Sequence, residues 1–149
     1  MPQEPDFILG SLRENILLSN PDLSNERFNE IIRLADLRPF LDRTPQGLDR
    51  QIAENGRDLP QGIRQRISLA RALAGQGQLV ILDEPTDGLD AQGVQAVYQT
   101  MNYLAESKKT IVVLTNDPKI LKGGEMVLNL NKKPVPVLIR KNYRSDQRP

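Results

Sequence analysis

Asp83 and Glu84 follow four aliphatic residues, Leu79 to Leu82, and precede Pro85 and the turn-like run Thr86-Asp87-Gly88-Leu89-Asp90. A short continuous apolar run of this kind reads as a strand buried on both faces of a sheet. In open α/β sheets, ligands gather outside the carboxyl ends of parallel strands, where this pair of acids would stand. Adjacent carboxylates repel one another unless a cation or a bridging water lies between them and a ligand. Magnesium with phosphate suits such a place, because the ion takes one or two carboxylates and completes its shell with water or phosphate oxygens. The plainer alternative is an acidic helix cap, and the acid pair alone does not separate the two.

Composition narrows the chemistry further. The 149 residues contain no Cys and no His, which excludes disulfides, thiolate metal sites and imidazole general bases. Acid–base work must therefore fall to carboxylates. Aromatic residues make up 4% of the chain and the net charge is +1, so neither base stacking nor attraction to a polyanion is supported, and no nucleic-acid partner is expected. The charge is uneven: from Lys132 onward there are six basic residues and one acid. This basic end reads as solvated, with an anionic membrane surface as the second reading. No apolar run approaches the ~20 residues a membrane helix needs.

The elements that would position Asp83 and Glu84 follow from periodicity and caps. A loop leads into a short helix at Leu12 to Leu17. A second helix is capped by Ser24 or Asn25, with Phe28, Ile31, Ile32, Ala35 and Leu37 on one face, and Pro39 is expected to close or bend it. Thr44 to Pro60 reads as a loop. The next helix, "GIRQRISLARALAG", turns Ile63, Ile67, Ala70 and Leu73 or Ala74 inward and Arg64 and Arg71 outward, and ends at Gly75 and Gly77. After Leu79–Leu82, a helix from Ala91 to Glu106 carries Val94, Val97, Tyr98, Met101 and Leu104 or Ala105 as its buried stripe. Thr110–Thr115 is a second buried strand, and Met126–Leu130 and Val135–Ile139 form a hairpin through "NKKP". Strand–helix–strand of this length implies a parallel pair with a right-handed crossover.

Taken together, "LPQGIRQRISLARAL", "LVILDE" and "DGLD" resemble the ATP-binding cassette (ABC) family of nucleotide-binding domains, in the family's order and at its spacings. Gln3 matches the family's Q-loop glutamine. "FILGSLRENI" (Phe7 to Ile16) and "IAENG" (Ile52 to Gly56) are similar to segments of exporters, the second to the loop that touches the transmembrane domain. Leu59, Pro60, Gln61, Gly62 and Ile63 fall where the family has its LSGGQ signature, "LVILDE" on its Walker B strand, "DGLD" on its D-loop, and Asn116 on its switch histidine. The resemblance implies a partial P-loop NTPase α/β core, a parallel sheet with flanking helices, plus a helical subdomain. Residues 1–59 would form the Q-loop and helical subdomain, and 60–149 the signature helix and the C-terminal part of the core. It also implies roles: Asp83 holds magnesium, Glu84 polarises the attacking water, and Gln3 contacts the ion or that water. The signature would cover the γ-phosphate of ATP held by a partner domain, and Asp90 would link the two sites of a head-to-tail dimer. ATP and magnesium are the implied cofactors. The implied partners are a second nucleotide-binding domain and a transmembrane domain at the cytoplasmic face of the inner (plasma) membrane.

The sequence also departs from that family. No G-x-x-x-x-G-K-[ST] loop is present, so the chain is expected to be the C-terminal part of a longer ATPase, inactive alone, with uncovered sheet edges and apolar surface. Pro60 replaces the signature serine, Gln61 a glycine and Ile63 the glutamine, while Asn116 replaces the histidine. A lost donor to a charged group is worth roughly 1.5–3 kcal/mol. The favoured reading is the ATPase of an exporter, with type I protein secretion as the preferred subclass. The alternative is a non-hydrolysing regulatory or assembly domain.

Overall fold

A computed structural model describes residues 6–141, which fall into two units divided between Leu114 and Thr115. The first begins with a two-residue strand β1 (Gly10–Ser11) running into helix α1 (Leu12–Leu17). A capping box closes the start of α1: Ser11 Oγ accepts from the Glu14 N–H at 3.1 Å, and the Glu14 carboxylate accepts from the Ser11 N–H at 2.7 Å. Helix α2 (Asn25–Leu34) is capped by Ser24 and buries Phe28, Ile31 and Ile32, as its periodicity predicts. It ends before Pro39, because Asp36 turns the chain through a left-handed conformation at φ 53°. Pro39 instead sits in the first turn of a short helix α3 (Arg38–Leu41), where its missing N–H and fixed φ cost nothing.

The segment from Thr44 to Pro60 is more ordered than a loop. It contains strand β2 (Gln51–Ile52), antiparallel to β1 with Gly10 opposite Ile52, between single 3₁₀ turns at Gly47–Asp49 and Glu54–Gly56. A pairing two residues long leaves no local pattern to read.

Helix α4 (Gln61–Ala74) lies at the centre of the unit's core, with Ile67 and Ala70 fully buried and Leu73 and Ala74 nearly so. Strand β3 (Leu79–Asp83), helix α5 (Ala91–Glu106) and strand β4 (Thr110–Leu114) follow, and β3 pairs with β4 in parallel from Leu79–Thr110 to Asp83–Leu114. The expected burial of β3 on both faces is not observed. Val80 and Leu82 are buried, while Leu79 and Ile81 are 55% and 50% exposed. In β4, Val112 and Leu114 are similarly exposed, so one sheet face packs on the helices and the other is open among the described residues. On α5 the buried stripe is Gly93, Ala96, Val97, Thr100 and Leu104; Val94, Tyr98 and Met101 are half-buried and Ala105 is exposed.

Arg71 does not point outward. Its guanidinium donates to Asn15 O at 2.6 Å, Asn15 Oδ1 at 2.7 Å and Asp6 O, and stacks over Phe7 at 4.8 Å. Burial lowers its pKa and nearby Asp6 opposes that shift. Asn15, wholly buried, passes the tie on to Ile8 O and Ser11 O. The reason is chemical: an arginine's stem can lie on apolar surface while its planar fork satisfies the Asn15 carbonyl of α1 and the Asp6 carbonyl before it.

In the second unit, helix α6 (Pro118–Gly123) precedes strands β5 (Met126–Asn129) and β6 (Val137–Arg140), which pair as the hairpin expected from the sequence. Sequence reading missed α6, although Asp117 caps it by accepting from Lys119 N and Pro118 occupies its first position. Among the described residues no helix is long and apolar enough to cross a membrane.

Candidate functional site

The parallel pairing carries Asp83 to the carboxyl end of β3, opposite Leu114. By strand alternation Asp83 shares the open face with Leu79 and Ile81, the face away from the helices. Glu84 breaks the alternation. Its φ is 39°, in the left-handed region that side chains other than glycine's rarely adopt. Two backbone bonds hold it there: Glu84 N donates to Leu114 O at 2.9 Å, and Glu84 O accepts from Asp87 N at 3.1 Å. A strained residue fixed from both sides, next to a second carboxylate, marks a functional position more strongly than the acid pair alone. Pro85 is buried behind it, and both carboxylates are half-exposed.

The turn after Glu84 meets the start of α4. Gly88 has φ 67°, and a Cβ placed there would lie 2.6 Å from Gln61 Nε2, so the Gln61 amide occupies the space that the missing side chain leaves. Gly62 approaches Leu89, with 3.8 Å between its would-be Cβ and Leu89 Cδ2. Pro60 is the N-cap of α4 with no side-chain cap, and its carbonyl takes the N–H groups of Ile63 and Arg64. A helix start without a capping side chain keeps its positive end available to an anion. Of the five signature positions, Leu59 is buried and Ile63 packs partly buried against the core, while Pro60 and Gln61 are exposed. Asp90 caps α5, accepting from Gly93 N at 2.7 Å.

Sequence reasoning missed Arg66. Its Nη2 lies 2.9 Å from Asp90 Oδ1 and 3.2 Å from Asp36 Oδ2, and its Nη1 donates to Asp36 O at 3.3 Å. The signal was available: Arg66 stands three residues after Ile63, on the inward stripe of α4, where a charge requires a buried partner.

The two exporter-like segments, separated by some forty residues, are joined. Phe7 packs against Gly56 so closely that a Cβ on that glycine would come within 2.7 Å of its ring, and β1 pairs with β2. Ile8 and Leu9 beside them are 43% and 72% exposed. Gln3 lies outside the described residues. Asn116 belongs to the second unit, is exposed, and directly precedes the cap of α6.

Among the described residues no group of three or more acids could hold a metal ion unaided. The Asp83–Glu84 pair therefore fits an ion that brings its own phosphate and water oxygens, as magnesium does with a nucleotide.

A parallel strand ending in this acid pair, followed by a turn packed on the uncapped start of the preceding helix, is the arrangement of an ATP-binding cassette. The chain belongs to the ABC transporter family, whose pattern matches residues 1–87. It is 33% identical over 132 residues to the Type I secretion system ATP-binding protein PrsD of Rhizobium meliloti (strain 1021), covering 89% of this chain and 23% of that protein. It is 31% identical over 130 residues to P-glycoprotein 14 of Caenorhabditis elegans, covering 87% of this chain and 10% of that one. A solved structure of a bacterial Atm1-family ABC exporter with ATP bound matches with a TM-score of 0.77 at 26% identity, over 85% of this chain and 22% of that one. The chain thus spans less than a quarter of the length of these relatives.

Proposed function

We propose that this chain supplies the signature, Walker B and D-loop portion of an exporter's ATP-binding domain, within a transporter that couples ATP hydrolysis to movement of a substrate across the membrane. The observation that carries the reading is the contact between the start of α4 and the Gly88 turn, directly after the Asp83–Glu84 pair. In this reading Asp83 holds magnesium through water, Glu84 orients the attacking water, and Gln3 contacts either. Asn116 donates an amide N–H toward the γ-phosphate where a histidine would otherwise stand. Phosphoryl transfer asks the protein mainly to position water and neutralise charge, which carboxylates and helix ends do without imidazole.

The signature segment, Leu59 to Ile63, covers ATP bound to a second, head-to-tail domain, and Asp90 faces that interface. The joined Phe7–Gly56 surface, with Ile8 and Leu9 exposed beside it, receives the transmembrane domain on the cytoplasmic side of the inner (plasma) membrane. Export of a polypeptide by a type I system is the preferred subclass, supported by the likeness to PrsD. ATP hydrolysis by the transporter that carries this chain tests the reading. Turnover that Glu84→Gln removes is expected. ATP binding without turnover in the unsubstituted protein would replace the engine with a regulatory domain.

A further inference from the structure

Arg66 takes no part in the chemistry above, and its surroundings are unusual. The side chain is only 11% exposed, yet it spans two carboxylates from different parts of the unit: Asp36, at the corner between α2 and α3, and Asp90, at the end of the D-loop. Asp36 is held in a left-handed conformation that presents both its carbonyl and its carboxylate to the guanidinium. Asp36 Oδ2 is buried without a hydrogen bond and relies on that ion pair. Gln92, in the first turn of α5, donates to the other oxygen, Asp36 Oδ1, at 3.2 Å. Gly93 makes the approach feasible, because a Cβ there would lie 3.2 Å from Arg66 Nη2 and 3.0 Å from Asp90 Oδ1. Both carboxylates meet Nη2, while Nη1 reaches the Asp36 carbonyl, so the planar fork serves three acceptors from one fixed position.

We propose that Arg66 is a positioning residue that couples the D-loop to the helical part of the domain, so that Asp90 follows the α2–α3 corner. Its importance for ATP turnover rests on the function proposed above; the coupling itself does not. The physics gives the coupling a definite sign. Removing one acid leaves Arg66 the other carboxylate, whereas removing both leaves its buried charge only neutral acceptors, the Asp36 carbonyl among them, a costlier state.

The test is a mutant cycle in the 149-residue chain, read by urea unfolding. Asp36→Asn and Asp90→Asn are suitable changes, since asparagine tolerates the left-handed conformation at the first position and remains a good helix cap at the second. With Arg66 present, the double variant should raise the unfolding equilibrium constant beyond the product of the single effects by about threefold or more. With Arg66→Met as background, that excess should shrink to what direct repulsion between the two acids contributes, because the buried cation that makes their losses compound is gone. Single effects that simply multiply with Arg66 present, or an excess of the same size in both backgrounds, would overturn the proposal. In the transporter that carries this chain, Asp36→Asn should lower kcat and leave the KM for ATP unchanged; an unchanged kcat would remove the positioning role. Absence of turnover in the unsubstituted transporter would count against the proposed function and leave the coupling measured by the cycle standing.

Discussion

The helices around α4 and the β3–β4 pair solve the burial problem differently. Around α4, Leu12, Ile16, Ile31, Leu37 and Ile67 are fully inaccessible to solvent, and Phe28 is nearly so. On the β3–β4 pair, Val80 and Leu82 are covered but Leu79, Ile81, Val112 and Leu114 are about half exposed. The helices complete their packing with Val80, Leu82 and Leu104, while the opposite face of the strands that carry the acids is apolar and half exposed. The start of α4 therefore stands beside a packed core, whereas the strand end bearing Asp83 stands beside an apolar face that is half exposed.

Substitutions should break this contrast in graded fashion. The largest stability effect is expected for Phe28→Ala, at about 3–5 kcal/mol, since it opens a cavity among residues that cannot all collapse into it; urea denaturation measures it. Gly88→Ala is expected to cost about 1–2 kcal/mol, because a side chain there requires φ 67° and meets the Gln61 amide. Adding Gln61→Ala should recover the steric part of that loss and leave the conformational part. By contrast, Ile81→Thr on the open face should change stability by less than about 0.5 kcal/mol and reduce self-association in sedimentation. A cost as large as that of Phe28→Ala would mean that the face is covered in solution.

The smallest effect concerns pH. Burial pushes the Asp58 carboxyl upward, but the Arg50 guanidinium at 3.1 Å and the Ala53 N–H outweigh it, and the net pKa is lowered. A depressed folded-state pKa contributes stability above the ordinary aspartate value, and that contribution is lost as pH falls through the lowered value. Urea midpoints of the native chain and Asp58→Asn should therefore converge on acidification below pH ~4. A gap that stays constant with pH would contradict the assignment.

Much of the helical architecture was legible from the sequence, because its signals are local: Ser24 before the apolar stripe of α2, Gly75 after α4, and the period of Phe28, Ile31 and Ile32. The β1–β2 pairing was not, since two residues facing two others across forty positions carry no period. The one-sided burial of β3 was also illegible, because an all-aliphatic run reads the same whether one face or both are covered. At the site, Asp83 and Glu84 announced themselves through their place after the run. The left-handed backbone of Glu84 did not, since it arises from its bonds to Leu114 and Asp87. Arg66 was readable only as a charge out of place on an apolar stripe, and Arg71 deceived because a long cationic side chain can be buried along its stem and satisfied at its tip.

The central claim is that the Asp83–Glu84 edge serves ATP hydrolysis. Its most direct test is steady-state ATP turnover by the transporter that carries this chain, with Glu84→Gln as the paired variant. Loss of turnover by about a hundredfold or more, with ATP binding retained, is the result expected. Turnover indifferent to Glu84→Gln would contradict the account.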